Sequence, residues 1–287
     1  MGLSWTEDYR GFKMFEDGFL EKWKQAVQSA GLITVMTGAG ISAESGIPTF
    51  RGPEGYWTIG SQEYHPQEMA THSMFMRHPF EVLSWYCYRR AICANANPNP
   101  GHDALVDLEN LLQDRFALIT QNVDGLHLRA GNSLERTFQI HGNINYMRCS
   151  EECSQEIYKM GDSIPTTPVS KKFSLPLLEG LRCPRCNELS RPHVLWFDES
   201  YNEEYYRFNS SLDIAGKTDV LLVVGTSGAT NLPNQVMHAV LGKGGLVVDI
   251  NIESNVFGEL AQKNNGFALQ GSGGILLPKL VESLRDV

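Results

Sequence analysis

The sequence has no apolar run near the roughly 18 residues that a membrane-spanning helix needs. Its N-terminal stretch is acidic, which speaks against a secretory or transit peptide. Positive charge is scarce as well: 24 Lys and Arg stand against 33 Asp and Glu, a formal net charge of −9. Gripping a nucleic-acid backbone requires clustered cations, so no nucleic-acid partner is expected. One ligand phosphate stays compatible, because backbone N–H groups can hold it. Repeats and low-complexity tracts are missing. Cysteines number only six, and in a chain of this kind they point to metal or plain thiols before disulfides. These absences lead us to expect a folded cytoplasmic protein with no membrane partner.

What is present is an α/β pattern. Phe15, Phe19, Leu20, Trp23, Val27 and Ala30 recur at helical spacing and predict an opening amphipathic helix. Residues 32–36 form a short apolar run ending in glycines, and similar runs recur at 116–120, 219–226, 245–251 and 266–269. Apolar strands alternating with helical patterns imply a Rossmann-like parallel sheet with helices on both faces. Two stretches break this rhythm, an aromatic-rich helical one and one with four cysteines and several prolines. The expected division is a large domain from residues 1–52, 103–142 and 191–287, and a smaller inserted helical and zinc-binding module from 53–102 and 143–190.

The first strand runs into Gly38-Ala39-Gly40-Ile41-Ser42-Ala43, which fits G-x-G-x-x-A. Such glycines allow a tight turn and let backbone approach a pyrophosphate at a helix N-terminus. A hydride-transfer enzyme would continue with a second strand ending in Asp or Glu about 20 residues on. Here the chain reads Ser45-Gly46-Ile47-Pro48-Thr49-Phe50-Arg51-Gly52, a loop with one aromatic and one cation. That disfavours a dehydrogenase and suits a loop closing over the nicotinamide end of a dinucleotide.

Cys149 and Cys153 form C-x₃-C, and Cys183 and Cys186 form C-x₂-C. Two such pairs can close one tetrahedral Cys₄ zinc site, which leaves no open position and is therefore structural. Cys87 and Cys93 have no partner at ligand spacing and read as plain thiols.

Further segments follow in order: Thr120-Gln121-Asn122-Val123-Asp124-Gly125-Leu126-His127, Ile140-His141-Gly142, Arg191-Pro192-His193-Val194-Leu195-Trp196-Phe197 and Gly225-Thr226-Ser227. With the glycine loop, this ordered set resembles the sirtuins, NAD-dependent protein deacylases, from about Gly31 to Leu280. The resemblance implies NAD as co-substrate and acylated lysine on proteins as the partner, the two meeting in a cleft. It implies Gly38, Ala39, Gly40 and Ser42 at the diphosphate and Phe50 and Arg51 in the cofactor-binding loop. Gln121, Asn122 and Asp124 would line the ribose and nicotinamide pocket. Gly225, Thr226, Ser227, Asn251, Ile252 and Glu253 would hold the adenosine half, with Ser272 near the adenine. Val194, Trp196 and Phe197 would flank the substrate, and His141 would be the general base.

The residue types suit that chemistry. Acyl-lysine supplies its own carbonyl oxygen as nucleophile, so the enzyme needs none, but a ribose hydroxyl must then lose a proton. A histidine, with an ordinary pKa near 6.5, can take it. Tyr86 and Arg89 share a helix face at i and i+3, and Arg can pair a carboxylate. This Tyr-x-x-Arg, with Ala70 ahead of it, resembles the sirtuin branch that removes succinyl and malonyl groups. An NAD hydrolase or ADP-ribosyltransferase on the same scaffold is the alternative. Two departures stand out: Phe197-Asp198-Glu199 where many sirtuins have Phe-Gly-Glu, and Gly228-Ala229-Thr230-Asn231-Leu232-Pro233 where the family has a Val-x-Pro strand. Both fall where the family holds its peptide.

Overall fold

The computed structural model describes residues 15–16, 18–48, 57–59, 62–161 and 179–285. Their strands are β1 (Ile33–Thr37), β2 (Trp57–Ile59), β3 (Gln62–Tyr64), β4 (Phe116–Thr120), β5 (Thr137–Gln139), β6 (Gly142–Cys149), β7 (Tyr158–Lys159), β8 (Ser190–Val194), β9 (Val220–Val224), β10 (Leu246–Asn251) and β11 (Phe267–Gln270). Six form a parallel sheet in the order β11-β10-β9-β1-β4-β5. All five apolar runs are strands of this sheet. Its sixth member, β5, is a three-residue edge strand whose only apolar residue is Phe138.

Alternation of side chains sorts the core into two layers. Ile33, Val35, Phe116, Leu118, Val220, Leu222 and Val224 face helices Phe19–Ser29, Pro100–Leu112 and Gly273–Glu282. Met36, Ala117, Ile119, Leu221 and Val223 face the other way, toward helices Phe208–Lys217, Asn231–Lys243 and Val256–Lys263. In the opening helix Phe19, Trp23 and Val27 are buried at i, i+4 and i+8, and the Trp23 indole N–H donates to the Leu280 carbonyl at 3.3 Å. No helix among the described residues is long and apolar enough to cross a membrane.

Topology fixes where a ligand can sit. From β1 the chain moves to β4 and β5 on one side, then returns to β9, β10 and β11 on the other. The strand order therefore reverses between β1 and β9, and crevices at such switch points, beyond the strands' C-terminal ends, are where α/β sheets bind ligands.

A third apolar cluster joins helix Pro79–Asn95 to a three-stranded antiparallel sheet, β7-β6-β8. Cys149 ends β6, and all four sulfurs, with those of Cys153, Cys183 and Cys186, lie within 4.8 Å of one another. The Cys149–Cys186 and Cys153–Cys183 pairs are 3.5 and 3.6 Å apart. Zinc–sulfur bonds of about 2.3 Å in a tetrahedron set sulfurs roughly 3.8 Å apart, so the four thiols fit a structural zinc. Backbone N–H groups of Cys186 and Arg185 face the Cys183 sulfur and lower its pKa, while burial and the neighbouring sulfurs raise that of Cys153. Cys87 and Cys93 lie buried in helix Pro79–Asn95, where burial pushes their thiols up to about 11 and about 12.

Elemental analysis of the purified protein should find one zinc per chain. Cys183→Ser or Cys186→Ser should prevent stable folding, since zinc binding supplies about 10 kcal/mol or more in such sites. Folded, metal-free protein would contradict this assignment.

Candidate active site

The glycine loop and the turn after β9 are pressed together at the switch point. Gly38 N–H donates to the Val224 carbonyl at 2.9 Å and Gly40 N–H to the Gly225 carbonyl at 2.8 Å. Gly225 has φ +60°, and a Cβ there would lie 2.5 Å from the Ile41 nitrogen and 2.7 Å from the Gly40 carbonyl carbon. Only glycine satisfies both the conformation and the approach. Ala39 and Gly40 are half-buried, whereas Ser42 is fully buried in the first turn that follows.

The residues after β4 close the floor. Asn122 Nδ2 donates to the Gly38 carbonyl at 3.0 Å and to Ser42 Oγ at 3.1 Å, and Ser42 Oγ donates to Asp124 Oδ2 at 2.8 Å. The other Asp124 oxygen accepts the Leu126 N–H at 2.8 Å, opening the helix Leu126–Ala130. Burial raises the Asp124 pKa, opposed by these hydrogen bonds. Gln121 spans the switch point: its Nε2 donates to Thr226 Oγ1 at 2.8 Å and its Oε1 accepts from Thr230 Oγ1 at 3.1 Å.

His141 stands between β5 and β6, where Gly142 takes φ +82° in a spot where any Cβ would collide with the His193 carbonyl oxygen. The His141 carbonyl accepts the Leu195 N–H at 3.0 Å, which ties the histidine to the zinc-bearing sheet. Its ring is held at both nitrogens. Nδ1 lies 2.9 Å from the Gln121 carbonyl, so Nδ1 carries the proton and Nε2 the lone pair. Nε2 lies 2.8 Å from the Tyr201 hydroxyl, which is therefore the donor. Burial lowers the His141 pKa to about 4, leaving the imidazole neutral at pH 7.

His127 and His193 are engaged elsewhere. His127 is buried with Nε2 2.9 Å from Thr37 Oγ1 and its ring against His102, and His193 is stacked on Tyr206. Burial lowers the pKa of both rings.

Beyond β9 and β10, Asn251 Nδ2 donates to the Thr226 carbonyl at 2.9 Å, joining the ends of these two strands. Ile252 is 63% exposed, an apolar side chain open at the crevice edge beside exposed Ser227 and Glu253. Ser272 Oγ donates to Glu44 at 2.9 Å, and the same carboxylate accepts the Gly274 N–H at 2.8 Å, so the last helix is fastened to the glycine-loop turn. Glycine-lined backbone, buried amide and hydroxyl groups and an open apolar edge at one switch point fit a dinucleotide. Phe50 and Arg51 lie outside the described residues.

Ala70, Tyr86, Val194 and Trp196 are buried in one cluster beneath exposed Phe197. The Trp196 indole N–H donates to the Tyr86 hydroxyl at 2.9 Å, and the Arg191 guanidinium stacks 3.3 Å from the centre of the Trp196 ring. Arg191 also pairs Glu199 through both nitrogens. Arg89 is 8% exposed, lies over the Trp85 ring and couples electrostatically to Tyr86. Burial is the main influence on it and lowers its pKa.

Structure also accounts for both departures. Asp198 accepts the His72 and Ser73 N–H groups at 2.6 and 3.0 Å, capping the helix His72–Arg77 from across the cleft. Glycine could not do this. Thr230 is the N-cap of the helix Asn231–Lys243, so residues 231–233 of the second departing segment are helical. Tyr201 and Thr230, which no motif marks, are contacts of His141 and Gln121 that the sequence did not reveal. Their only signal was that they fall in or beside the segments departing from the family pattern.

The model of the Sir2 family matches residues 38–231. An NAD-dependent protein deacylase of Leptospira interrogans serogroup Icterohaemorrhagiae serovar copenhageni (strain Fiocruz L1-130) is 41% identical over 268 residues, 93% of this chain and 98% of that protein. Another from Pyrococcus furiosus is 40% identical over 258 residues, covering 90% and 95%. Among solved structures, a Sir2 homolog in complex with NAD superposes with a TM-score of 0.77 at 30% identity, over 93% of this chain and 94% of that one. A mutant Sir2 homologue bound to ADP ribose gives 0.77 at 32% identity, over 93% and 96%. With the glycine loop, the Gln121–Asp124 floor and His141 all inside the matched span, the chain belongs to the Sir2 family.

Proposed function

We propose that this enzyme is an NAD-dependent protein-lysine deacylase, and that its preferred acyl groups are succinyl and malonyl. The observation that carries the reading is His141, held neutral with its Nδ1 proton on the Gln121 carbonyl and its lone pair on Nε2, at the sheet's ligand-binding edge. Gly38, Ala39, Gly40 and Ser42 bind the diphosphate, and Gln121, Asn122 and Asp124 the nicotinamide-bearing ribose. Gly225, Thr226, Ser227, Asn251, Ile252, Glu253 and Ser272 serve the adenosine end, and Phe50 and Arg51 are assigned to cofactor binding. His141 takes the proton of the ribose hydroxyl, whose oxygen then attacks the acyl carbon. Zinc stays outside the chemistry, since four cysteines fill its coordination.

We assign residues 1–52, 103–142 and 191–287 to the NAD-binding domain and 53–102 and 143–190 to the zinc-bearing module, with β8 crossing that boundary to pair with β6, and with acyl-lysine entering over Val194, Trp196 and Phe197. Metal held by reduced thiols supports a cytoplasmic location. For the acyl group, Ala70 puts a small side chain in the same buried cluster as Tyr86 and Trp196. Tyr86 and Arg89 lie on one face of helix Pro79–Asn95, and the buried guanidinium offers a carboxylate a charge-assisted hydrogen bond out of water. Hydrolysis of NAD alone would need no such pocket.

His141→Ala should fold and bind NAD but lose deacylation by about 10²-fold or more, the usual effect of removing a general base. Near-normal turnover of an acyl-lysine peptide by that variant would refute the assignment.

Arg89→Met should slow desuccinylation about 10- to 150-fold, from a lost charged hydrogen bond worth roughly 1.5–3 kcal/mol, and barely touch acetyl-lysine turnover. Tyr86→Phe should shift preference the same way by less, though it also leaves the Trp196 indole N–H without its acceptor. Comparing kcat/KM on matched succinyl and acetyl peptides decides. Equal loss on both, or a wild-type preference for acetyl, removes the acidic-acyl pocket.

A further inference from the structure

Tyr201 occupies the one nitrogen through which His141 can act. Because Nδ1–H is committed to the Gln121 carbonyl, the only basic lone pair is on Nε2, and the Tyr201 O–H fills it at 2.8 Å. Tyr201 is not a loose side chain. Its ring stacks on Phe208, 6.0 Å between centroids at 26°, and both rings pack against the core layer under helix Asn231–Lys243. The residue that follows, Asn202, accepts the Tyr205 N–H at 2.9 Å and caps a short helix, which fixes the backbone as well.

The phenol also lies beside Thr230, whose Oγ1 donates to Gln121 Oε1, while the Gln121 backbone carbonyl accepts the proton of His141 Nδ1. Thr230 lies in one of the segments that depart from the family pattern and Tyr201 two residues beyond the other, and they converge on the base. A rim of apolar residues would have left Nε2 open to a substrate hydroxyl. Here a phenol stands in the way, held from behind by Phe208.

We propose that Tyr201 is a catalytic residue, the relay through which His141 receives its proton; this rests on His141 being the base. The ribose hydroxyl gives its proton to Tyr201 Oη while the phenol's own proton passes to His141 Nε2. One O–H bond breaks at the ribose and one forms at the phenol; the phenol's original O–H breaks and an N–H forms. Tyr201 ends neutral and unchanged, the imidazole ends as a cation, and the ribose oxygen keeps the electron pair with which it bonds the acyl carbon. The phenol carries no net charge before or after, which suits a hydroxyl whose burial pushes its pKa up to about 12.

Tyr201→Phe keeps the stacked ring and removes only the relay. Two reactions of the same protein separate the possibilities. Deacylation of an acyl-lysine peptide needs the deprotonated hydroxyl, whereas exchange of labelled nicotinamide into NAD in the presence of that peptide needs bond cleavage and no base. Tyr201→Phe should lower deacylation about 10- to 10²-fold, the range of a lost proton-transfer group, and keep exchange within about twofold. Unchanged or faster deacylation overturns the relay, since the hydroxyl then reaches His141 without help. Equal loss of both reactions also overturns it, because the tyrosine is then structural. His141→Ala, run alongside, keeps the two ideas apart. If that variant still deacylates, the base assignment has failed; if only Tyr201→Phe does, the relay alone has failed.

Discussion

Everything at the site depends on how closely two turns approach at the centre of the sheet. The turn after β1 and the turn after β9 touch backbone to backbone, with Gly40 N–H on the Gly225 carbonyl at 2.8 Å. A methyl group at Gly225 would drive the turns apart. Their contact lets Gln121 reach from the end of β4 to Thr226 and Thr230, and lets Asn122 brace the Gly38 carbonyl. The same contact sets the width of the crevice. A floor of backbone, amide and hydroxyl groups with one buried carboxylate, Asp124, is therefore built without any cation among its described residues, which agrees with the acidic composition of the chain.

His141 is the point where two sheets meet. The parallel sheet supplies its Nδ1 partner through the Gln121 carbonyl, and the antiparallel sheet supplies the Leu195 N–H that grips its backbone. The metal knot stabilises the second of these supports. A zinc held by Cys149, Cys153, Cys183 and Cys186 would brace the end of β6, the strand that follows His141 and pairs with β8.

How much of this was legible in the sequence varied with the physics of each element. β1, β4, β9, β10 and β11 could be read because strands covered on both faces are continuous apolar runs. β5 could not, since Thr137 and Gln139 flank a single Phe at an edge. β6 reads Gly-Asn-Ile-Asn-Tyr-Met-Arg-Cys, too mixed for any period, and owes its pairing to β8 and to the cysteine at its end. The Cys₄ cluster was plain because metal geometry imposes its spacing. Tyr86 and Arg89 were visible as an i, i+3 pair, yet the indole of Trp196, 110 residues away, is what engages the phenol. Asp198 and Thr230 were visible only as departures. That one caps a helix and the other braces Gln121 follows from tertiary contacts that no local pattern encodes.

Trp196 has one more consequence. Its indole is clamped between the Arg191 guanidinium on its face and the Tyr86 hydroxyl at its edge, with Phe75 5.3 Å away between ring centres. Indole emission responds to a neighbouring charge and to the state of its N–H. An acyl chain that met Tyr86, as proposed, would change that state directly, and tryptophan fluorescence would then follow its binding.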